Sequence, residues 1–221
     1  MASRSLLPAG NPTVHLLTAN IMPRYLRRFL YGILITKMEE EQIVFVDEDG
    51  TATGETGPKL ASHTATTKLH LAFSCYIFNP KTKHFLLTQR AHVKKVWPDV
   101  WTNSVCGHPM PGEAIEAAIR RRAEYELGIE ELDDLQCLLP KYVYKTPPYN
   151  GIIEHEFCPI YIALTDQEPA PNPQEVDAFK WITWEEYGDL LEADTDKNTM
   201  SYWAKDQFPR ISAQIESIFA A

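Results

Sequence analysis

Apolar residues recur along this chain with two periods, one close to two and one close to 3.6, and the two periods predict different elements. Residues 42–47 carry the run Ile43-Val44-Phe45-Val46, a strand closed by the turn formers Asp47, Asp49 and Gly50. A loop is expected from there through Pro58. Residues 69–78 predict a long strand ending at Asn79-Pro80, and residues 85–88 the return strand of a hairpin. Two further strands are expected over 138–145 and 152–164, joined by the turn-rich Thr146-Pro147-Pro148-Tyr149-Asn150-Gly151. Residues 169–173 read as a surface loop and 178–182 as the last strand.

The helical period is strongest over residues 112–128, with Glu113 expected in the first turn and Gly128 as the terminator. Ala114, Ile115, Ala118, Ile119 and Ala123 form its apolar stripe, and Arg122 and Glu126 fall in the middle of that stripe. Charges on a buried face must be paired or liganded. An ion pair between positions four apart is one solution, although Arg before Glu is the poorer order; involvement in a site is the preferred one. Thr183 with Glu186 predicts a capping box for a helix to about residue 191. Ser201 is a candidate cap for another, carrying Tyr202 and Trp203 and interrupted near Pro209. Strands and helices mix without regular alternation, which gives an α+β fold with a mixed or antiparallel sheet and flanking helices.

Composition narrows the function classes. The 221 residues are 44% hydrophobic, enough for a sizeable core. No run of about 18 apolar residues exists, so no membrane span is expected. A net charge of −9 argues against nucleic acid as a partner and leaves any anionic ligand to local basic clusters. The four cysteines, Cys75, Cys106, Cys137 and Cys158, show no paired spacing, which suits reduced thiols in the cytoplasm. Residues 1–37 differ from the rest, with Arg24, Arg27 and Arg28 among Ile21, Leu26, Phe29, Leu30 and Ile33. A transit-like or surface helix, an ordered appendage and a start at Met38 are the alternatives. A disordered extension or a misassigned start is preferred, with the domain proper over residues 38–221.

Candidate chemistry gathers in a few places. In an extended segment, Cys106 and His108 point the same way, so both side chains can enter one cavity, with Gly107 between them letting the backbone come close to a ligand. Such a pair is more often structural than catalytic. His63 and His70 lie on opposite faces of a regular strand, so joint ligation requires a turn between them. Glu154 and Glu156 face one side of their strand, comfortable if solvated or if a cation lies between them. Arg90, Lys94 and Lys95 make a basic cluster, either a solvated loop or an anion clamp.

Taken together these segments resemble type I isopentenyl diphosphate isomerase. The resemblance covers about residues 44–203. It is carried by Trp101-Thr102-Asn103-Ser104-Val105-Cys106-Gly107-His108-Pro109, by Ala61-Ser62-His63-Thr64 leading to Leu69-His70-Leu71-Ala72-Phe73, and by Gly151-Ile152-Ile153-Glu154-His155-Glu156. Those enzymes have a Nudix-like fold. The hydrolase pattern of that fold is kept at Gly107, Glu113, Arg121, Glu126 and Gly128, while Arg122 and Tyr125 stand where it has glutamates. Two missing carboxylates speak against diphosphate hydrolysis.

The resemblance implies a 1,3 proton shift between isopentenyl and dimethylallyl diphosphate, with Cys106 on one face of the substrate and Glu156, assisted by Tyr144, on the other. It implies a metal site of His63, His70, His108, Glu154 and Glu156, holding one manganese, zinc or magnesium ion. A second magnesium would accompany the diphosphate, held by Glu126 and the carbonyl of Cys106. Lys59, Arg90, Lys94 and Arg122 would clamp the diphosphate, and Trp203 would cover the carbocation. The partner is then a small diphosphate, with no nucleic acid, for a monomer or weak homodimer. The competing readings are a Nudix-type diphosphate hydrolase and a metal-stabilised binding domain without catalysis.

Overall fold

The computed structural model describes residues 41–195 and 198–220. The expected extension over residues 1–37 and the start at Met38 lie outside the described residues. The chain opens with a hairpin of β1 (Gln42–Val46) and β2 (Ala52–Pro58), followed by the single-turn α1 (Lys59–Ser62). Next come β3 (His70–Leu71), β4 (Phe73–Phe78), β5 (Phe85–Arg90), β6 (Trp101–Thr102) and β7 (Val105–Gly107), then α2 (Ile115–Leu127). Five strands follow: β8 (Asp133–Leu139), β9 (Val143–Lys145), β10 (His155–Phe157), β11 (Ile160–Leu164) and β12 (Val176–Ile182). Helices α3 (Trp184–Ala193) and α4 (Tyr202–Ala220) complete the described chain.

Two sheets result, in the orders β2-β1-β3-β10-β9 and β12-β5-β4-β11-β8, with β6 on β5 and β7 on β4. One parallel ladder runs through both. β3 lies parallel to β10 and β4 parallel to β11, and the step between sheets falls at Ala72 on one side of the ladder and Cys158-Pro159 on the other. The second sheet is covered on both faces, which is why its central strands are continuously apolar. On β4, Tyr76 and Phe78 pack with α3 and α4 residues Tyr187, Trp203, Ile211 and Ile215. Phe73, Cys75 and Ile77, of the other parity, pack with Ala118, Ile119, Ala123 and Leu127 of α2. Gly128 ends α2 in the left-handed region at φ 66°, where a side chain would be strained.

Several elements differ from the sequence expectation. The expected loop through Pro58 is β2, an exposed polar strand that periodicity cannot reveal because it buries almost nothing. The expected strand over 138–145 is two strands in different sheets, broken after Leu139 where Pro140 has no N–H for a ladder. The strand over 152–164 is likewise split into β10 and β11 at Pro159. Glu113 precedes α2 rather than opening it: its carboxylate accepts from the Met110 N–H at 2.7 Å and pairs with Arg121 at 2.8 Å. Helix α4 runs through Pro209 without interruption. The loss of about 3 kcal/mol that an interior proline brings is offset by the fully buried Ile211 and Ile215, each contributing about 1.5–3 kcal/mol.

Candidate active site and metal centre

Strand register assembles the first three residues. Glu156 on β10 is directly opposite His70 on β3 and Tyr144 on β9, so the three side chains stand in a row on one face of the sheet. The Tyr144 hydroxyl donates to Glu156 Oε2 at 2.7 Å. His108 follows β7, which pairs with β4 at Ser74↔Cys106, and its Nε2 lies 3.1 Å from Glu156 Oε1 and 3.1 Å from His70 Nε2. His63 arrives on the irregular stretch after α1, tied down where the Ile153 N–H donates to the Thr64 carbonyl at 3.0 Å. That stretch is the turn that joint action of His63 and His70 requires, and their ring centroids are 4.9 Å apart.

His63 Nδ1 lies 2.5 Å from the Lys59 carbonyl and His70 Nδ1 lies 2.9 Å from the Lys68 carbonyl. A carbonyl only accepts, so both Nδ1 atoms carry hydrogen and both Nε2 lone pairs face inward. Backbone carbonyls commonly hold metal-binding imidazoles in this way. One ligand atom from each of His63, His70, His108 and Glu156 lies within 4.8 Å of the others, a donor set that fits a divalent cation. The buried Glu154 Oε2 has no hydrogen-bond donor, although it lies 3.1 Å from His63 Nε2. Glu154 therefore meets the group through His63 and is not one of the four.

Burial moves His108 down to about 4, against the pull of Glu156, so its imidazole is neutral. Burial alone would raise the Glu156 carboxyl, but the imidazoles of His108 and His70 beside it hold it well below the carboxylate range. His63 is lowered by burial and carried upward overall by Glu154.

On β7 of the second sheet, Cys106 places Sγ 2.9 Å from Asn103 Oδ1 and 3.7 Å from Ser74 Oγ. Burial pushes its thiol up to about 12, so it carries a proton. Trp203, from the first turn of α4, donates its indole N–H to the same Asn103 oxygen at 3.0 Å and lies near Tyr144, ring centroids 6.5 Å apart. The Arg90 guanidinium sits over the Trp203 ring at 5.6 Å. Gly107 does permit a close approach, but by a helix: a Cβ there would lie 3.0 Å from Arg122 Cγ and 3.2 Å from the Phe73 ring.

Three of the expected clamp residues, Lys59, Lys94 and Arg122, are brought together through shared carboxylates, and all four are already partnered. Arg122 pairs with Glu126 at 2.7 Å, the ion pair that residue order disfavoured, and with Glu175 at 3.3 Å. Lys59 pairs with Glu41 at 2.7 Å, and Lys94 with Glu175. Glu41 reaches Arg122 at 3.8 Å; burial opposes its ionisation, yet Lys59 and Arg122 hold it down to about 2. Arg90 stands apart, donating to the carbonyls of Val96 and Trp97, both at 2.9 Å. Glu41, Glu175 and Asn103 were not singled out from the sequence. Glu41 lay in an acidic run and Glu175 beyond a proline-rich loop, and only Asn103 stood inside a quoted motif.

Residues 68–204 match the NUDIX domain family. An isopentenyl-diphosphate Delta-isomerase of Saccharopolyspora erythraea is 46% identical over 168 residues, 76% of this chain and 84% of that protein. A protein of the same name from Frankia alni is 40% identical over 82% of this chain and 91% of its own length. Among solved structures, one from Deinococcus radiodurans superposes with a TM-score of 0.59 at 20% identity, covering 77% of this chain and 98% of the other, which speaks for the fold alone.

Proposed function

The chain belongs to the isopentenyl-diphosphate Delta-isomerases built on the NUDIX domain, and from that premise we propose that Cys106 and Glu156 move the two protons of the reaction. Interconverting isopentenyl and dimethylallyl diphosphate adds a proton to a terminal alkene carbon and removes one from the carbon on the far side. The observation that carries the assignment is a thiol held by Asn103 at 2.9 Å and a carboxylate held by Tyr144 at 2.7 Å on adjoining sheets; burial favours the protonated thiol and the neighbouring imidazoles favour the ionised carboxylate, the two complementary states such a shift needs. Tyr144 orients the carboxylate and gives it a hydrogen-bonding partner through the exchange. Trp203 supplies an indole against the positive charge that develops at the branched carbon, worth about 2 kcal/mol when desolvated. Buried aromatic walls keep out water that would trap that charge.

His63, His70, His108 and Glu156 would hold one manganese, zinc or magnesium ion, with Glu154, now 3.1 Å from His63 Nε2, joining them as the fifth ligand; three imidazoles favour the first two. When bound, that ion supplies a fixed positive charge beside Glu156. A magnesium ion travelling with the diphosphate would be held by Glu126 and the carbonyl of Cys106. Lys59, Lys94, Arg122 and Arg90 grip the phosphates, and Glu41 and Glu175 keep the first three oriented beforehand. The reading also places the protein in the cytoplasm as a monomer or weak homodimer without a nucleic-acid partner. Four free thiols and a net charge of −9 support it, and no helix among the described residues is long and apolar enough to cross a membrane.

The test is to incubate the protein with isopentenyl diphosphate and magnesium and separate the products. Dimethylallyl diphosphate is expected. Phosphate or pyrophosphate without the isomer would instead make the protein a hydrolase.

A further inference from the structure

Asn103 takes no part in the chemistry above, yet its side-chain oxygen is the meeting point of three donors. The Thr102 hydroxyl reaches it at 2.9 Å, the Cys106 thiol at 2.9 Å and the Trp203 indole N–H at 3.0 Å. Asn103 is fully buried. An indole nitrogen only donates, so the atom facing Trp203 has to be the amide oxygen, and the orientation of the amide is thereby fixed. The amide nitrogen confirms that orientation by donating to the Val105 carbonyl at 3.0 Å and the Cys75 carbonyl at 3.3 Å. Both amide hydrogens are used, and the oxygen is saturated.

Two consequences follow for the site. An oxygen that can only accept obliges the sulfur 2.9 Å away to turn its hydrogen toward it, which selects one rotamer of Cys106. The same oxygen binds a ring 100 residues further along the chain, so the segment carrying the thiol and the helix carrying the indole share one anchor. Resting on the isomerase reading, we propose that Asn103 is a positioning residue that sets Cys106 and Trp203 at a fixed spacing around the reacting carbons. Misplacement by about 1 Å can cost about 10²-fold in rate, so an anchor common to both groups has a kinetic role beyond folding.

The test uses the full chain, with steady-state kinetics on Asn103→Ala and Asn103→Asp, melting curves, and the indole N–H resonances of protein labelled at tryptophan. Trp203 is assigned with Trp203→Phe. Asn103→Ala is expected to lower kcat by about 30- to 100-fold with KM within about threefold, and to shift the Trp203 resonance. Asn103→Asp retains an accepting oxygen but loses the two N–H donors to the Val105 and Cys75 carbonyls, and is expected to recover part of kcat and most of the shift. A kcat within about threefold of the parent despite a shifted resonance would overturn the proposal, as would a loss that Asn103→Asp fails to recover at equal melting temperature. Should Asn103→Ala not fold, Asn103→Asp decides alone, and a loss as large as that of Cys106→Ala would count against positioning. An inactive parent whose resonance still shifts in the variants would overturn the isomerase reading and with it the kinetic role, so the two failures are told apart.

Discussion

Tyr144 and Glu156 face each other at 2.7 Å across a two-stranded ladder, and Cys106 stands on a strand of the other sheet. Substitution at two of these positions, Cys106 and Glu156, separates chemistry from folding. Cys106→Ala and Glu156→Gln are each expected to lower turnover by at least about 10²-fold, the usual contribution of a positioned acid or base. The melting temperature should stay within a few degrees, and product formation beside a melting curve reads both. Near-normal turnover in either variant contradicts the assigned roles. His63, His70, His108 and Glu156, which lie together in the structure, were named from the sequence through the resemblance of the segments that carry them; spacing alone set His63 and His70 on opposite faces of a strand. Glu41 and Glu175 were not named, since they meet Lys59, Lys94 and Arg122 across 18, 81 and 53 residues of chain. No local period records such a contact.

At the level of elements, α2 and the junction of α3 with α4 hold the site from two sides. Ile119 is fully buried against the sheet, and Ile119→Ala is expected to cost about 2–5 kcal/mol by chemical denaturation. At the junction the Asp194 carboxylate accepts from the Thr199 N–H at 3.1 Å, the Thr199 hydroxyl at 2.9 Å and the Met200 N–H at 2.9 Å, and pairs with Lys205 at 2.8 Å. Burial opposes its ionisation, but Lys205 and these donors hold it far below the carboxylate range. A depressed folded value means the stabilisation is complete above the unfolded value of about 4 and is lost as pH falls below it. Asp194→Asn should therefore cost about 1–3 kcal/mol near neutrality and progressively less below about pH 4, read as melting temperature against pH. A cost independent of pH would contradict this. Helix α2 and its Gly128 stop, the capping box at Thr183 and the buried strands were legible because each is written in local period or local chemistry. Strand β2 and the splits at Pro140 and Pro159 depend on which sheet a segment joins, and that is decided by partners far along the chain.

For the whole molecule, the described residues from Glu41 onward contain every group assigned to the reaction. Deleting residues 1–37 is accordingly expected to leave kcat and KM within about twofold; loss of activity on that deletion would bring the segment into the domain. The shared parallel ladder makes the site possible at this scale, because one face of the first sheet delivers His70, Glu156 and Tyr144 while the second sheet delivers Cys106 beside them. Such an arrangement suits the addition and removal of different protons. The most direct measurement is the conversion of isopentenyl diphosphate in heavy water with product analysis by mass spectrometry. Exchangeable thiol, phenol and carboxyl groups predict dimethylallyl diphosphate carrying deuterium in a newly formed methyl group, formed at least about 10²-fold more slowly by Cys106→Ala. Unlabelled product, or hydrolysis in place of isomerisation, would contradict the account.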